Sequence, residues 1–350
     1  MDLGSLPMTE VPRCAGGVRL GEHGLHLGHY AGTFAAATAN SETRTLHYII
    51  KDTEPYFWAD QSKKKYWVER IAHDACTLAQ AGLQVKCLLS SILLNYAWRI
   101  SNAIYDTVKY SALVTAHFDK ASIRDGKYHA TIRNLVFPID ETIILTSLSI
   151  DTFYSNCDNE RIVRFARDVQ RQIGVKLLTN LFCFPGIRNF PGDDHQRMHA
   201  AGGNTLDVSA SDSTIHRFAD KAFSLSKYFE VNVNELNRYR QTPRGEYIPA
   251  DQFAPFALIR VLEGQEGLDQ FKKDYLVHGS QREHMAGILA EVLAKHISNW
   301  RARWEEIKSG WSFEELLDQS HQIASSAAKE WDRWDFPLGP KSLTSDSTNR

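Results

Sequence analysis

Apolar residues recur at helical spacing through most of this chain. From residue 63 to about residue 110 they return every three to five positions, in two runs that meet near residue 84. Residues 159–179 give the clearest amphipathic pattern, with apolar side chains on one face and a stripe of arginines opposite. The stripe consists of Arg164, Arg167 and Arg171. These patterns predict long helices.

Three more segments carry helical periodicity: 216–240, 254–308 and 312–334. In the last of them Ser312 is followed by Glu315 at the capping-box position, which predicts where that helix begins. Residues 131–150 are apolar and partly β-branched around Pro138. Periodicity does not decide between a short strand and a buried helix there.

The first 45 residues break the helical pattern. Their many glycines make the segment costly to order by itself. Large apolar side chains are nevertheless spaced along it at Leu20, Leu25, Leu27, Tyr30 and Phe34. The combination predicts an extended arm that docks onto a neighbouring subunit.

A second irregular stretch, 184–213, contains Pro-Gly and Gly-Gly pairs and is unusually long for a loop inside a compact domain. It predicts a boundary or a functional loop. The predicted fold class is mainly α, with two helical lobes, an extended N-terminal arm and a short disordered C-terminal tail. The predicted divisions are an arm at 1–45, an N-terminal helical lobe at 46–185, a linker or functional loop at 186–213, a C-terminal helical lobe at 214–336 and a tail at 337–350.

Composition limits the cellular compartment and the kinds of function that the protein can have. The chain has 350 residues, 43% of them hydrophobic, with a formal net charge of -2 and a pI near 6.7. Bulk charge therefore does not announce a nucleic-acid binder. The five cysteines form no CxxC pair, and we find no transmembrane stretch or secretory signal. We expect a cytoplasmic or other reducing intracellular compartment, no membrane partner and no cofactor.

One cluster in the long loop suits a divalent metal ion, because two carboxylates and two imidazoles make a reasonable ligand set. It consists of Asp193, Asp194, His195 and His199. The plain alternative is a polar loop whose side chains face water. Under that alternative, which we prefer, the protein holds no metal.

Other chemical motifs are incomplete or absent. His117 and His73 each begin a fragment of a metal-binding motif, without the remaining ligands. The common hydrolase, nucleotide-binding and metalloprotease motifs do not occur. Three histidines at steps of three are assigned to the arm: His23, His26 and His29.

Basic clusters are the most specific polar feature. Guanidinium groups at steps of three and four on one helix face lie about 5–6 Å apart, close to the phosphate spacing of an extended single strand. Besides the stripe on 159–179, a second cluster interleaves arginines with tyrosines that offer stacking surfaces. It consists of Arg238, Tyr239, Arg240, Arg244 and Tyr247. Together they predict a surface that holds single-stranded RNA.

One segment resembles a known family. Residues 245–249 (GEYIP), 253–257 (FAPFA) and 278–280 (HGS) are similar to part of the C-terminal lobe of the nucleoproteins of non-segmented negative-strand RNA viruses. The resemblance covers about 40 residues and transfers no RNA-binding residue by motif. It implies a helical, two-lobed protein with RNA in a groove between the lobes and terminal arms that reach neighbouring subunits.

The leading hypothesis is therefore a homo-oligomeric nucleoprotein that holds single-stranded RNA in a basic cleft, is not an enzyme, and lies in the virion if it is viral. The first alternative is a helical small-molecule enzyme, possibly metal-dependent, with its site around Asp193, His195 and His199. A helical scaffold or effector-type interaction protein is the third hypothesis.

Overall fold

A computed structural model describes most of the chain. The described residues are 13–40, 43, 45–53, 60–79, 82–108, 123–124, 127–128, 132–175, 178–185, 187, 189–195, 197–198, 203–224, 240–241, 247–248, 253–278, 281–308 and 312–332.

A parallel five-stranded sheet lies at the centre of the protein, in the order β3-β2-β1-β6-β7. Its strands are β1 (Cys14–Arg19), β2 (Thr45–Lys51), β3 (Gln84–Leu89), β6 (Thr152–Tyr154) and β7 (Asn180–Phe182). Two short antiparallel pairs stand apart from it: β4 (Ile123–Arg124) with β5 (Lys127–Tyr128), and β8 (Arg240–Gln241) with β9 (Tyr247–Ile248).

Helices connect and cover these strands. A π-helical turn, Tyr30–Ala35, joins α1 (Leu27–His29) to α2 (Ala36–Ala39). The others are α3 (Gln61–Leu78), α4 (Ser90–Tyr96), α5 (Trp98–Thr107), α6 (Ile132–Ser147), α7 (Glu160–Gln172), α8 (Asp212–Ser224), α9 (Ala254–His278), α10 (Arg282–Lys308) and α11 (Phe313–Trp331). A 3-10 turn, Cys157–Asn159, precedes α7.

The prediction of a mainly α protein with an extended N-terminal arm is wrong. Residues 14–19 of the supposed arm are the central strand of the sheet, and its five apolar anchors are at most 3% exposed in the core. The glycines of this segment serve packing, since a Cβ on Gly16 would overlap the Thr33 methyl and one on Gly17 would lie 2.8 Å from the Ile49 carbonyl oxygen. Close approach, and not flexibility, explains them.

The strands also lack the sequence pattern by which a strand is recognised. A parallel sheet covered on both faces has nearly continuous apolar strands without the alternation that marks a strand. The apolar strand β3 is followed directly by the apolar helix α4. Residues 84–96 therefore have the hydrophobic pattern of one continuous helix. The result is a Rossmann-like α/β fold.

Several local predictions are confirmed. Ser312 and Glu315 form the predicted capping box at the start of α11. The amphipathic segment at 159–179 contains α7. Residues 131–150, for which a strand and a buried helix were both left open, contain a helix, α6, with Pro138 inside it. The predicted domain boundaries stay predictions, and the predicted tail at 337–350 lies outside the described residues.

The layers are continuous around one main core. Helix α3 packs on β2 and β3, α10 packs on α3 and α8, and α11 packs on β3 and α4. A smaller apolar cluster lies among α5, α6 and α7 and includes the buried Trp331. Within the ranges given above, none of the helices has the length and apolar character needed to cross a membrane.

Candidate functional site

The chain changes direction within the sheet at β1. From β1 it proceeds outward through β2 and β3 and then returns to place β6 on the other side of β1. In an open parallel sheet, a crevice forms outside the carboxyl ends of the strands at this switch point, and ligands bind there. β2 pairs with all six residues of β1, whereas β6 pairs with Cys14 and Ala15. The crevice therefore opens beyond Ala15.

The turn after β1 leads into α1 and carries two histidines. His26 is the N-cap of α1 and forms a capping box with His29, and their ring centroids are 3.9 Å apart. The Gly28 N–H donates to His26 Nδ1 at 3.1 Å, and the His26 N–H donates to His29 Nδ1 at 3.2 Å. Because Nδ1 accepts in both neutral rings, each carries its proton on Nε2. Two N–H donors and a helix N-terminus therefore lie together.

The segment before α8 packs beside this turn. The Leu27 N–H donates to the Leu206 carbonyl at 3.0 Å, and the Val208 N–H donates to the Leu25 carbonyl at 3.1 Å. His26 and Asp207 form the antiparallel bridge between the two segments. A sequence-distant loop thus borders the start of α1.

An arginine of α3 joins both segments. Arg70 donates to Asp74 Oδ1 at 3.0 Å and to Ser209 Oγ at 2.6 Å, and it pairs with Asp207. Asp74 Oδ2 accepts from the Leu25 N–H at 2.8 Å. We call the surface formed by residues 20–29 and 206–209 together with Arg70 and Asp74 the helix wall.

Burial raises the pKa of Asp74 from its ordinary 3.8 to about 7. The Arg70 guanidinium and the Leu25 N–H lower this pKa, and the nearby Asp207 carboxylate raises it. Gly24 lies against the same groups, since a Cβ there would be 2.6 Å from Asp74 Oδ2 and 3.1 Å from Asp207 Oδ2. The turn therefore depends on a glycine and on a buried carboxyl that titrates near neutral pH.

The opposite side of the crevice has different chemistry. Arg19 and Lys51 are register partners at the ends of β1 and β2, and side-chain alternation places them on one face of the sheet with Ala15 and Phe153. Lys51 Nζ lies 2.7 Å from Glu141 Oε2 on α6, 4.9 Å from the Phe137 ring centroid and 5.9 Å from that of Phe153. We call the surface formed by Arg19, Lys51, Phe137, Glu141 and Phe153 the ring wall.

The ends of β6 and β7 close the third side. Cys157 and Cys183, which follow these strands, have their sulfur atoms 2.6 Å apart. Asp158 forms an ion pair with Arg197, and burial raises the pKa of this carboxyl. Asn156 lies 3.2 Å from the Cβ position of Gly32 on the π-helical turn. Strand ends and helix are in contact here.

The predicted metal residues instead hold the long loop in place. Lys221 Nζ lies 2.9 Å from Asp193 Oδ1, Asn204 donates to Asp194 at 2.8 Å, and the Ala254 N–H donates to His195 Nδ1 at 3.2 Å. Among the described residues no three potential metal ligands gather, and His199 lies outside them. Asp193, Asp194 and His195 thus make three separate structural contacts and do not converge on one site.

The predicted RNA-binding arginines of α7 lie on a helix surface. Arg164 pairs with Glu160 and Arg171 pairs with Asp168, both at 2.8 Å, while Arg167 is half-buried. Arg240 lies in β8 and Tyr247 in β9. Arg238, Tyr239 and Arg244 are outside the described residues. That these residues contact nucleic acid stays a prediction.

Comparison with known proteins identifies the fold. The tryptophanyl-tRNA synthetase of Campylobacter jejuni superposes with a TM-score of 0.63 over 92% of this chain and 97% of that one, at 16% identity. The tyrosyl-tRNA synthetase of Archaeoglobus fulgidus, complexed with L-tyrosine, gives 0.56 over 85% and 92%, at 12% identity. The chain has the fold of these synthetases.

Sequence comparison gives a weaker signal in the same direction. No family model matches the chain. A tyrosine–tRNA ligase of Methanoculleus marisnigri is 25% identical over 167 residues, which cover 46% of this chain and 52% of the ligase. The chain thus spans about half the length of the curated relative that it matches.

These likenesses overturn the nucleoprotein resemblance and what was built on it. The similar proteins are enzymes, against the expectation of a non-enzymatic protein, and a metal-dependent helical enzyme is not matched either. The single-stranded viral RNA partner and the virion are dropped with the resemblance. Oligomerisation through an N-terminal arm is wrong because the supposed arm is core.

Sequence reasoning missed the helix wall although a signal for it exists. The glycine-containing segment 14–19 is followed by a glycine-rich turn and then a histidine-capped helix. Strand, glycine-rich turn and helix start form the common arrangement for an anion site in α/β proteins. Without a recognised strand before them, His26 and His29 read as residues of a flexible arm.

Proposed function

We propose that this chain is an amino-acid-activating enzyme of the tRNA-synthetase kind, which binds ATP and an amino acid in the crevice between β1 and β6. The fold supports this, as does a similar structure, at 16% identity and a TM-score of 0.63, that is complexed with ADP and tryptophan. The observation that carries the proposal is the start of α1 at the switch point of the sheet.

The helix wall suits the phosphates. The dipole at the start of this helical segment favours an anion, while the N–H groups of Leu27 and Gly28 are already bonded to Leu206 and His26. His26 and His29 add two Nε2–H donors, and Gly28 leaves room for the His26 ring, whose Cε1 would lie 2.9 Å from a Cβ at this position. We assign the phosphate chain of the nucleotide to this turn.

The reaction follows from the chemistry of ester formation. A carboxylate is a poor electrophile, so joining it to a hydroxyl requires a better leaving group on its carbon. In the proposed step the substrate carboxylate oxygen bonds to the α-phosphorus of ATP, the bond to the bridging oxygen of the β-phosphate breaks, and pyrophosphate leaves with the electron pair. Donors at the helix wall stabilise the charge that develops on the phosphate oxygens.

Amino-acid-dependent exchange of labelled pyrophosphate into ATP tests the proposal. Removing one donor from such a site typically costs about 100- to 1,000-fold in rate, and we expect this of His29→Ala. His321→Ala is the matched control, because this histidine of α11 contacts Tyr96 on the protein surface. Wild-type protein that neither binds ATP nor catalyses exchange with any amino acid would overturn the proposal.

A further inference from the structure

Two free thiols meet at the ends of neighbouring strands. Cys157 begins the 3-10 turn that follows β6, and Cys183 comes directly after β7. Because β6 and β7 are parallel and pair through Tyr154 and Phe182, both cysteines lie at the same edge of the sheet. Their sulfur atoms are 2.6 Å apart, and a disulfide bond needs about 2.05 Å. A small movement would therefore suffice to join them.

Both thiols are within reach of solvent. Cys157 and Cys183 are each partly exposed, whereas Cys14 and Cys87 are 1% and 2% exposed in the core. Cys76 shares a hydrogen bond with Cys87 and so belongs to a second neighbouring pair, but the Cys87 thiol is out of reach of a reagent. A thiol must be accessible to exchange with a disulfide. Cys157 and Cys183 are thus the pair in which both thiols can exchange.

The two thiols differ in reactivity. Burial raises the pKa of Cys183, and the contact with Cys157 and the nearby carboxylates of Asp158 and Glu160 raise it further. The thiolate is the nucleophile in disulfide exchange, so a thiol that stays protonated attacks slowly. Cys157 is therefore the sulfur that attacks an external disulfide, and Cys183 is the sulfur that resolves the product.

We propose that Cys157 and Cys183 form a redox-sensitive modification site, which small-molecule disulfides convert to an intramolecular disulfide and small-molecule thiols restore. The bond would join residues 26 positions apart and tie the end of β6 to the end of β7. The site lies apart from the start of α1, and the proposal does not depend on the proposed function.

The conversion balances with an external disulfide as the only oxidant. The Cys157 thiolate attacks one sulfur of that disulfide, whose S–S bond breaks, and the first external thiolate leaves with the electron pair and takes up the proton that Cys157 released. The Cys183 sulfur then attacks the Cys157 sulfur of this mixed disulfide. Its proton passes to the second external thiolate, which departs as the protein disulfide forms. Two cysteines are oxidised, and one external disulfide is reduced to two thiols.

Peptide mapping of the full chain by mass spectrometry tests the proposal. The reduced, folded protein is incubated with oxidised glutathione, and the remaining thiols are then blocked under denaturing conditions before digestion. We expect one linked peptide pair that contains Cys157 and Cys183, with Cys14, Cys76 and Cys87 blocked as free thiols. An excess of reduced glutathione should open the link and restore all five thiols.

Single variants separate the roles of the two sulfur atoms. Cys183→Ser should stop the reaction at the mixed disulfide, so that glutathione stays on Cys157. Cys157→Ser should take up glutathione on Cys183 at least about tenfold more slowly, because the raised pKa lowers the thiolate fraction. Cys76→Ser is the matched control. It also removes a partly exposed thiol with a cysteine neighbour, and it should form the same link as the wild type.

Three results would overturn the proposal. They are the absence of a link between Cys157 and Cys183 after oxidation, a link that reduced glutathione does not open, and a Cys183→Ser variant that carries no glutathione on Cys157. None of them bears on the proposed function, which nucleotide binding and pyrophosphate exchange test separately.

Discussion

The two walls of the crevice hold their charges in different ways. On the helix wall the carboxylates accept from main-chain N–H groups as well as from Arg70, with Asp74 accepting from Leu25 and Asp207 accepting from Ser209. On the ring wall Lys51 and Glu141 meet through side chains alone. Charges tied to the main chain stabilise a turn, whereas the ring-wall pair joins a strand to a helix. The helix wall therefore holds the start of α1 in place, and the ring wall holds α6 against β2.

Breaking the ring wall should produce the largest loss of stability. Lys51→Met leaves the Glu141 carboxylate buried and unpaired, which typically costs about 3–5 kcal/mol in free energy of unfolding. Replacing both residues by apolar ones should restore most of that loss. Urea denaturation of both variants measures the difference.

Lys295→Met supplies the matched control, since its pair with Glu263 is largely exposed and should cost at most about 1 kcal/mol. Equal losses for Lys51→Met and Lys295→Met would show that the ring wall is not a buried ion pair.

Breaking the helix wall at its glycine should cost less. The new methyl group of Gly24→Ala would lie 2.6 Å from Asp74 Oδ2, so the turn must shift, and overpacking of this kind costs about 1–3 kcal/mol. Gly287→Ala on α10 is the control, because its Cβ meets nothing within 4 Å and alanine suits a helix better. Thermal unfolding should lower the Tm of the first variant and not that of the second. A Gly24→Ala variant as stable as wild type would remove the close packing on which the helix wall depends.

The buried carboxyl of the helix wall predicts a pH dependence. Folding raises the pKa of Asp74 above its unfolded value, so folding favours the protonated form. Its contribution to stability is fully present below about pH 4 and is lost as the pH rises through about 7. Relative to Asp74→Asn, the wild type should lose up to about 4 kcal/mol across this range. A pH-independent difference between wild type and Asp74→Asn would contradict the assignment.

Whether an element could be predicted from the sequence depends on how many of its faces are exposed to solvent. Helix α7 was recognisable because one of its faces is wet and the other buried, which leaves a 3.6-residue period. The strands of the sheet are buried on both faces and leave no period of their own. Because β1 was not recognised, the central strand was predicted to be part of an arm. The histidines of the site were then predicted to be arm residues as well.

The ring wall could not have been predicted from this sequence. Lys51 and Glu141 are 90 positions apart, and neither belongs to a recognisable motif. They meet because β2 and β6 flank β1 while α6 packs over the same face, which is a property of strand order. Helical periodicity alone, without a recognised sheet, cannot predict that Lys51 and Glu141 are in contact.

The central claim is that ligands bind where β1 and β6 diverge. A crystal structure of the protein with a non-hydrolysable ATP analogue tests it most directly. The account predicts the phosphates at the start of α1, within hydrogen-bond distance of His26 or His29 Nε2. Nucleotide bound elsewhere, for example along the arginines of α7, with an empty crevice between β1 and β6, would contradict it.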